Sequence, residues 1–386
     1  MTTTQTPFER NRWLSIVLGF VAIEATAFSL RGALVPRFVE LFDTTTRLAG
    51  LLAPAATAGF VITLLLTGLI ATSEDTEQLL MLATGATGIC FLAAAFAPSF
   101  GVLLIALFGR GISTGIFRGV DRPLLSRLYD ESRERVFNYY DLAWAGGAAI
   151  APAISVLALQ TIGWRPVYAA LAIGCFVLAG LAFKGQLNFL QTGRTRIDWE
   201  DFISLASSSH LRHIALVMFL LGGVEGGLFT WLPLYTNRAE PGVSGATALT
   251  VLLVAYIPGR FIHATLSAQI DTARYLLAIA TGAISILGLT LWVADGGLFL
   301  AGIGGLGFLL AGVFPTTIAL AVNFVPEQAA PLNAGLTAVS YLGIATWPPI
   351  AGHLSYGSNI SLLALPAILG LPLVGTLYFV SRGDSL

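Results

Sequence analysis

The run LLGGVEGGLFTWLPLY, residues 220–235, places one acidic residue, Glu225, inside a stretch that is otherwise apolar or small. A carboxylate removed from water is costly unless it is paired, so this position calls for a structural or functional reason. The glycines at 222, 223, 226 and 227 leave room beside it for another helix or a ligand. The surroundings of this run therefore decide both the fold and the role of the acid.

Composition points to a membrane protein. The chain has 386 residues, of which 56% are hydrophobic and 11% charged, too few charges to cover a soluble exterior. A helix needs about 20 apolar residues to cross the hydrocarbon core, and it satisfies its own backbone in lipid. We therefore predict an all-α integral membrane protein with twelve spans, at about 13–38, 48–72, 78–97, 101–125, 137–161, 164–184, 212–236, 245–268, 274–293, 297–323, 330–354 and 360–381.

The distribution of basic residues predicts the orientation. With the N-terminus inside, the cytoplasmic segments hold eleven arginines and lysines, and the external loops hold four. Cytoplasmic loops carry an excess of these residues in membrane proteins. We therefore expect both termini in the cytoplasm and the chain in the plasma membrane.

Thiol labelling would check this topology. In a variant without Cys90 and Cys175, single cysteines at Ser99 and Gly242 should react with an impermeant reagent added outside intact cells. A cysteine at Thr192 should react only after the membrane is opened. The opposite pattern would contradict the predicted orientation.

The two halves of the chain resemble each other. A polar stretch at 185–211 separates six spans in 1–184 from six spans in 212–386, and we expect it to be a cytoplasmic linker. Glu24, Phe28 and Ser29 in the first span align with Glu225, Phe229 and Thr230 in the seventh. Gly115 and Pro123 in the fourth span have the same spacing as Gly307 and Pro315 in the tenth. Such repeats are typical of transporters.

Several stretches resemble the major facilitator superfamily. FGRGISTG (108–115) is similar to its fourth-span arginine motif, and AGGAAIAPAI (145–154) to its fifth-span glycine/proline motif. GVEGGLFTWLPLY (223–235) and GVFPTTIALA (312–321) resemble the fucose-permease-like, sugar-transporting branch. One loop departs from the pattern: Thr72 replaces the usual aspartate in GLIATSEDTEQLL (68–80), and the basic residues are absent. The family's cytoplasmic latch is therefore in doubt here.

Charged residues inside the spans are costly and usually face a cavity or a partner. In the family, spans 1, 4, 7 and 10 line the central cavity. At a rise of about 1.5 Å per residue, Glu24 and Arg110 lie at the same depth, so we predict that they face each other. Arg31 lies in the outer third of its span, where it could snorkel outward or bind substrate.

A second set of charges lies near the inner ends of the spans: Arg118, Asp121, Arg122, Asp141 and Arg260. We predict that these residues either gate the transporter or form structural ion pairs, with Asp141 paired to Arg118 or Arg122. Arg260 is expected to reach cytoplasmic partners, far below Glu225.

Aromatic residues concentrate in the C-terminal half: Trp231, Tyr235, Tyr256, Tyr341 and Trp347. Rings of this kind can stack on the faces of sugars, and tyrosines add hydroxyls. The alternative is an interfacial aromatic belt or helix packing. Trp231 is our first choice for substrate contact because it follows Glu225 within the recognised pattern.

The resemblance implies a secondary active transporter that moves a small polar solute, with a sugar as first choice, by alternating access. No nucleotide-binding sequence, metal set or nucleophile elbow appears, so we predict no enzyme, no cofactor and no metal. An unpaired buried carboxyl favours its protonated form, so Glu225 is predicted to bind proton or substrate, unless it serves packing alone. The alternatives are a proton-driven exporter of amphipathic compounds and an organic-anion carrier; a sensor or scramblase is disfavoured. The expected partners are a small molecule, protons and the lipid bilayer, with no nucleic acid, and the chain is expected to be monomeric.

Overall fold

The computed structural model describes residues 6–70, 76–129, 132–184, 208–240, 242–267, 269–325, 329–356 and 361–382. Within these ranges the chain forms helices and contains no strand. The helices are α1 Pro7–Ala33, α2 Val35–Leu41, α3 Thr46–Ala49, α4 Leu52–Ile70, α5 Thr76–Ala95, α6 Phe100–Leu128, α7 Arg133–Thr161, α8 Arg165–Phe183, α9 Ser209–Ala239, α10 Gly245–Leu266, α11 Thr272–Val293, α12 Gly296–Phe324, α13 Ala329–Leu354 and α14 Ala364–Arg382.

Eleven helices of the described chain are long and apolar enough to cross a membrane. The predicted fold class is therefore confirmed, with one difference in detail. The run predicted at 330–354 is the 26-residue helix α13, which is long enough but less apolar than the eleven. Its two adjacent prolines, Pro348 and Pro349, and the polar residues around them lower its apolarity.

The first span ends earlier than predicted. Residues 13–38 were predicted as one run, but α1 ends at Ala33 and the short helix α2 begins at Val35. Pro36 lies in the first turn of α2, where its fixed φ is tolerated and its missing N–H costs nothing. The proline therefore starts a new helix instead of extending α1.

The described helices group into two compact units. The first contains Met1–Leu30 and Ala55–Ile197, and the second contains Arg31–Pro54 and Asp198–Leu386. The segment 31–54 thus groups with the C-terminal helices, although it belongs to the first half of the sequence. Residues 185–207, including Thr192, and the loop 71–75 lie outside the described residues, so the linker, and the halves 1–184 and 212–386, stay predictions.

Close packing explains why 31–54 groups with the second unit. A Cβ on Gly32 would overlap the carbonyl oxygen of Phe229 on α9. A Cβ on Gly50 would lie 2.7 Å from Pro349 Cα on α13. Backbone approaches of this kind require glycine, so the end of α1 and the helices α2 and α3 lie directly against α9 and α13.

In the first unit, α1 is fixed against α6 and α7. Phe20 stacks on Phe117 of α6 with ring centroids 3.8 Å apart. Thr26 Oγ1 donates to the carbonyl of Gly147 on α7 over 3.1 Å, and a Cβ on Gly147 would overlap the Ala22 carbonyl oxygen. These contacts set the rotation of α1 and so aim Glu24.

In the second unit, the glycines around Glu225 serve helix packing. A Cβ on Gly222 would overlap the Ser340 carbonyl oxygen, and one on Gly226 would lie 2.8 Å from Ile344 Cα. A Cβ on Gly227 would lie 2.5 Å from Pro366 Cγ on α14. The neighbours are helices α13 and α14, so the expected approach of another helix is observed at these glycines. Helix α9 is thereby held with Glu225 toward α10.

Candidate functional site

Glu24 and Arg110 form a buried pair in the first unit. Arg110 Nη1 lies 3.8 Å from Glu24 Oε1, and their side chains are 4% and 8% exposed. The prediction that the two residues face each other is confirmed. The separation exceeds ordinary hydrogen-bond length, so the charges attract each other without a close hydrogen bond.

Arg110 carries N–H donors that the described residues leave without a hydrogen bond. Its Nε and Nη1 atoms are buried and make no hydrogen bond within the described residues. Buried donors normally have partners, and leaving one unpaired costs on the order of 1–3 kcal/mol. The pair therefore leaves hydrogen-bonding capacity that a bound ligand can use.

The sequence analysis missed Thr114. It lies one turn along α6 from Arg110, so the two share a helix face. Its Oγ1 atom is buried and has no partner among the described residues. The four-residue spacing of two polar side chains in an apolar helix is the signal that could have revealed it.

Arg31 does not snorkel outward. It is buried, and its Nη1 donates to the carbonyl oxygens of Leu52 at 3.3 Å and Ala53 at 3.5 Å. These bonds join the end of α1 to the start of α4 within the second unit. The snorkelling prediction is wrong because backbone carbonyls inside the protein satisfy the guanidinium. A substrate role for Arg31 stays a prediction.

Asp121 is the centre of the inner cluster of the first unit. It is fully buried, accepts a 2.6 Å hydrogen bond from Tyr140 Oη and lies 3.6 Å from Arg118 Nε. The guanidinium groups of Arg118 and Arg122 lie over the Tyr140 ring, at 5.0 and 4.8 Å from its centroid. The sequence analysis had not singled out Tyr140, because its partners come from another helix.

The outer edge of this cluster is a surface pair. Arg122 Nη2 lies 3.5 Å from Asp141 Oδ1, with side chains 41% and 53% exposed. The predicted pairing of Asp141 is confirmed for Arg122, whereas Arg118 pairs with Asp121 instead. Exposed pairs contribute little to stability, so Asp141 is less important than the sequence suggested.

The two aspartates should differ sharply on substitution. Asp121→Ala removes the buried acceptor shared by the Tyr140 hydroxyl, the Arg118 guanidinium and the Arg122 backbone N–H, and we expect a loss of about 3–5 kcal/mol. Asp141→Asn, the matched surface change, should cost no more than about 1 kcal/mol. Melting temperatures of the purified variants would test this. Equal losses for the two variants would contradict the assignment of Asp121 as the centre.

Glu225 has a neutral partner in the second unit. Its Oε1 accepts a 3.1 Å hydrogen bond from Tyr256 Oη, and both residues are buried. Tyr256 also packs against Phe229, with ring centroids 6.2 Å apart. Tyr256, predicted as an aromatic contact for a sugar, is thus first of all the hydrogen-bond donor to Glu225.

Arg260 lies closer to Glu225 than expected. It follows Tyr256 by one turn on α10 and acts electrostatically on Glu225. The prediction that it lies far below Glu225 is wrong, because α10 places Arg260 on the same face as Tyr256, which contacts Glu225 directly. Arg260 belongs to the surroundings of Glu225.

Trp231 is a packing residue. It is fully buried, its Nε1 donates to the Pro348 carbonyl oxygen over 3.0 Å, and its ring would lie 2.8 Å from a Cβ on Gly352. A ring enclosed between α9 and α13 cannot present a face to a sugar. Our first choice for stacking is therefore wrong in this structure.

The other predicted aromatic residues are Tyr235, Trp347 and Tyr341. Tyr235 is half-buried and stacks on Phe299 at 6.3 Å. Trp347 packs on Phe219 at 5.7 Å, and its Nε1 is buried without a hydrogen bond in the described chain. Tyr341 is half-buried on α13. A substrate role for these three residues stays a prediction.

The helical membrane fold holds a buried charged pair and a buried carboxyl, and intramembrane charges of this kind are typical of the substrate and ion pathways of membrane transporters. The model of the Major Facilitator Superfamily matches residues 16–348, and the chain belongs to this family.

Curated relatives include the purine ribonucleoside efflux pump NepI of Escherichia coli K12 and its counterpart in Shigella flexneri, each 26% identical over 227 residues. The match covers 56% of this chain and 55% of theirs, so the chain spans about half the length of these relatives.

Solved structures share the fold over nearly the whole chain. The nucleoside transporter NupG has a TM-score of 0.79 at 9% identity, covering 97% of this chain and 98% of its own. A bacterial homologue of the human lysosomal transporter Spinster has a TM-score of 0.73 at 15% identity, covering 98% and 96%. A variant of the Escherichia coli fucose:proton symporter FucP has a TM-score of 0.64 at 18% identity, covering 96% and 98%.

Proposed function

We propose that this protein transports a small hydroxylated solute by alternating access and couples the transport to proton movement. The carrying observation is that two buried carboxyls at matching positions of the internal repeat have different partners. Glu24 faces the cation Arg110, whereas Glu225 accepts a hydrogen bond from the neutral hydroxyl of Tyr256. The first arrangement suits substrate binding, and the second suits proton exchange.

The Glu24–Arg110 pair supports a hydroxylated substrate. Arg110 supplies two unused N–H donors, Thr114 adds a hydroxyl, and Glu24 is an acceptor. Neighbouring hydroxyls of a sugar or a ribose both donate and accept, so they can satisfy all of these groups together. The Glu24 carboxylate balances the charge of Arg110, which disfavours a free organic anion.

Glu225 supports proton coupling. A carboxyl with a neutral partner can take up and lose a proton without breaking an ion pair, and Tyr256 can hydrogen-bond to either form. Arg260, one turn beyond Tyr256, limits how firmly the proton is held by attracting the ionised form. We propose that proton binding at Glu225 and solute binding at Glu24 and Arg110 alternate with the opening of the transporter to each side.

Purine ribonucleosides and sugars are the substrates to test first. NepI is a purine ribonucleoside efflux pump, NupG a nucleoside transporter and FucP a fucose:proton symporter. Similarity to NepI favours export, whereas similarity to FucP favours import with protons. Amphipathic compounds are the third class, since each of the helices α9, α10 and α13 carries aromatic side chains.

Ligand-dependent thermal stabilisation would identify the class. Purified protein is melted with purine ribonucleosides, hexoses, organic acids and amphipathic cations, because a binder of the native state raises the melting temperature. A 2′-deoxyribonucleoside is the matched control, since it lacks one hydroxyl of the ribose pair. We expect ribonucleosides or sugars to stabilise, and the deoxy control to stabilise less. Stabilisation by organic acids or amphipathic cations alone would overturn the substrate assignment.

We further propose that the protein acts as a monomer in the plasma membrane with both termini in the cytoplasm. The arginine distribution supports this orientation. The labelling experiment at Ser99 and Gly242 tests it, and Gln269, in the described turn between α10 and α11, is a further inner reporter position.

A further inference from the structure

A buried histidine closes a junction of three helices in the second unit. Of the four histidines in the chain, all of them described, His263 is the buried one, with 3% of its surface exposed. It lies in the last turn of α10 and contacts α11 and α12. Neither the substrate pair nor Glu225 makes direct use of it.

The two ring nitrogens of His263 have different partners. Nε2 lies 2.9 Å from the carbonyl oxygen of Phe308, and a carbonyl can only accept, so Nε2 carries a hydrogen. Nδ1 lies 2.6 Å from Tyr275 Oη. In the neutral ring, Nδ1 therefore accepts the tyrosine O–H.

This arrangement suits both charge states of the ring. A hydroxyl can donate or accept, so Tyr275 can donate to the neutral imidazole and accept from the imidazolium. The Phe308 carbonyl accepts from Nε2–H in both states. Both ring nitrogens therefore have a hydrogen-bond partner in either state, which offsets part of the desolvation cost that burial places on the charged ring.

Two glycines hold the ring in this orientation. A Cβ on Gly312 would lie 2.5 Å from His263 Cγ, and a Cβ on Gly259 would lie 2.5 Å from the Phe308 oxygen. The backbones of α10 and α12 therefore approach closely on both sides of the imidazole. The positions of its nitrogens follow from this packing.

The charged and titratable groups around His263 are few. Helix α12 carries none along residues 296–324. Helix α11 contributes Tyr275 and the exposed Arg274, with Asp271 at its N-cap, and α10 contributes Tyr256 and Arg260. Helix α9 contributes Glu225, which is joined to α10 through Tyr256.

These groups form a polar stripe on α10. Tyr256, Arg260 and His263 have the four- and three-residue spacings that place side chains on one helix face. His263 lies about 10 Å along the helix from Tyr256, at a rise of about 1.5 Å per residue. The stripe leads from Glu225 to the α10–α11 turn, where Gln269, Ile270 and Asp271 are exposed.

We propose that His263 is a second proton-binding site of the transporter, at the end of α10 that the arginine distribution predicts to face the cytoplasm. Nδ1 takes up a proton from the cytoplasmic solution, and the tyrosine hydroxyl changes from donor to acceptor. The added cation lies beside Arg260 and raises the positive potential at Glu225. The pH on the cytoplasmic side thereby adjusts the rate of transport. This consequence rests on the proposed coupling through Glu225, whereas the protonation of His263 does not.

Nitrogen NMR of histidine-labelled, full-length protein tests the protonation directly. In spectra recorded from about pH 8 down to about pH 5, we expect the His263 ring to begin neutral with hydrogen on Nε2 and to gain imidazolium character as the pH is lowered. His263→Gln identifies the signal by its loss. A variant in which His210, His213 and His353 are all glutamine identifies it independently. A ring that stays neutral throughout, or carries its hydrogen on Nδ1, would overturn the proposal.

Tyr275→Phe supplies the test of mechanism. It leaves the imidazolium N–H without an acceptor, so the same spectra should show that protonation is suppressed. His353→Gln, an exposed histidine, is the control and should leave the His263 signal unchanged. Protonation of His263 that is unaffected by Tyr275→Phe would exclude the tyrosine from the site.

Transport measurements test this inference separately from the proposed function. In proteoliposomes, substrate exchange by the wild type should change several-fold with the inner pH, and His263→Gln should remove that response while exchange continues. If His263 titrates but no pH gradient drives transport, the proton site stands and the coupling proposal fails. If the His263→Gln variant keeps the full response to inner pH, the regulatory role of His263 is wrong.

Discussion

Glu225→Gln should abolish the accumulation of solute driven by a pH gradient while leaving substrate exchange intact. Glutamine keeps the shape of the side chain and can still accept the Tyr256 hydrogen bond, but it cannot take up a proton. With one proton per solute, a gradient of one pH unit supplies about 1.4 kcal/mol, enough for about tenfold accumulation. In proteoliposomes the accumulation ratio should fall from about tenfold to about one.

The matched control is a second buried carboxyl on the same unit. Glu240 directly follows α9, is buried, and accepts a 3.4 Å hydrogen bond from Gly296 N–H. Glu240→Gln should leave accumulation unchanged, because this residue lies at the end of the span, away from Tyr256. Concentrative transport by Glu225→Gln at the wild-type level would exclude Glu225 as the coupling residue.

Arg110→Gln should remove substrate binding and also destabilise the first unit. It leaves Glu24 buried without its cation, which typically costs about 3–5 kcal/mol. Adding Glu24→Gln removes the unpaired buried carboxylate, so the double variant should regain most of the lost stability. It should not regain binding, because the two unused donors of Arg110 are absent. Melting temperatures with and without substrate separate the two effects.

Thr114→Val distinguishes a binding site from a structural pair. Its buried hydroxyl has no partner in the described chain, so the substitution should change stability by less than about 1 kcal/mol. Loss of one hydrogen bond to substrate should weaken binding by about tenfold, or about 1.4 kcal/mol. A double variant at Glu24 and Arg110 that binds substrate like the wild type would show that the pair serves folding alone.

The depth of charged residues could be read from the sequence. A helix advances a fixed distance per residue, so counting along two spans was enough to place Glu24 and Arg110 at one level. The structure then confirmed that they face each other at 3.8 Å. The sequence likewise placed Asp141 near Arg118 and Arg122, and the structure showed that Arg122 is its partner.

The partners of individual side chains were less predictable. Tyr140 and Tyr256 are the hydrogen-bond donors to Asp121 and Glu225, but each comes from a different helix from its acceptor. Trp231 follows the sugar-transporter pattern and is nevertheless enclosed by α13. Whether a ring faces a cavity or a neighbour depends on the rotation of its helix, which hydrophobicity alone does not define when nearly every side chain is apolar.

The sequence by itself determined the membrane-spanning helices, the family and the positions of the buried charges. These follow from composition, the length of apolar runs and the constant rise of a helix, all of which are local properties. The tertiary structure alone decided that residues 31–54 group with the C-terminal helices, that Arg260 acts on Glu225 and that His263 joins α11 and α12. These depend on close backbone contacts at glycines such as Gly32 and Gly312, whose neighbours are distant in sequence. A glycine in the sequence shows that a close approach is possible, and only the packed helices show which residue makes it.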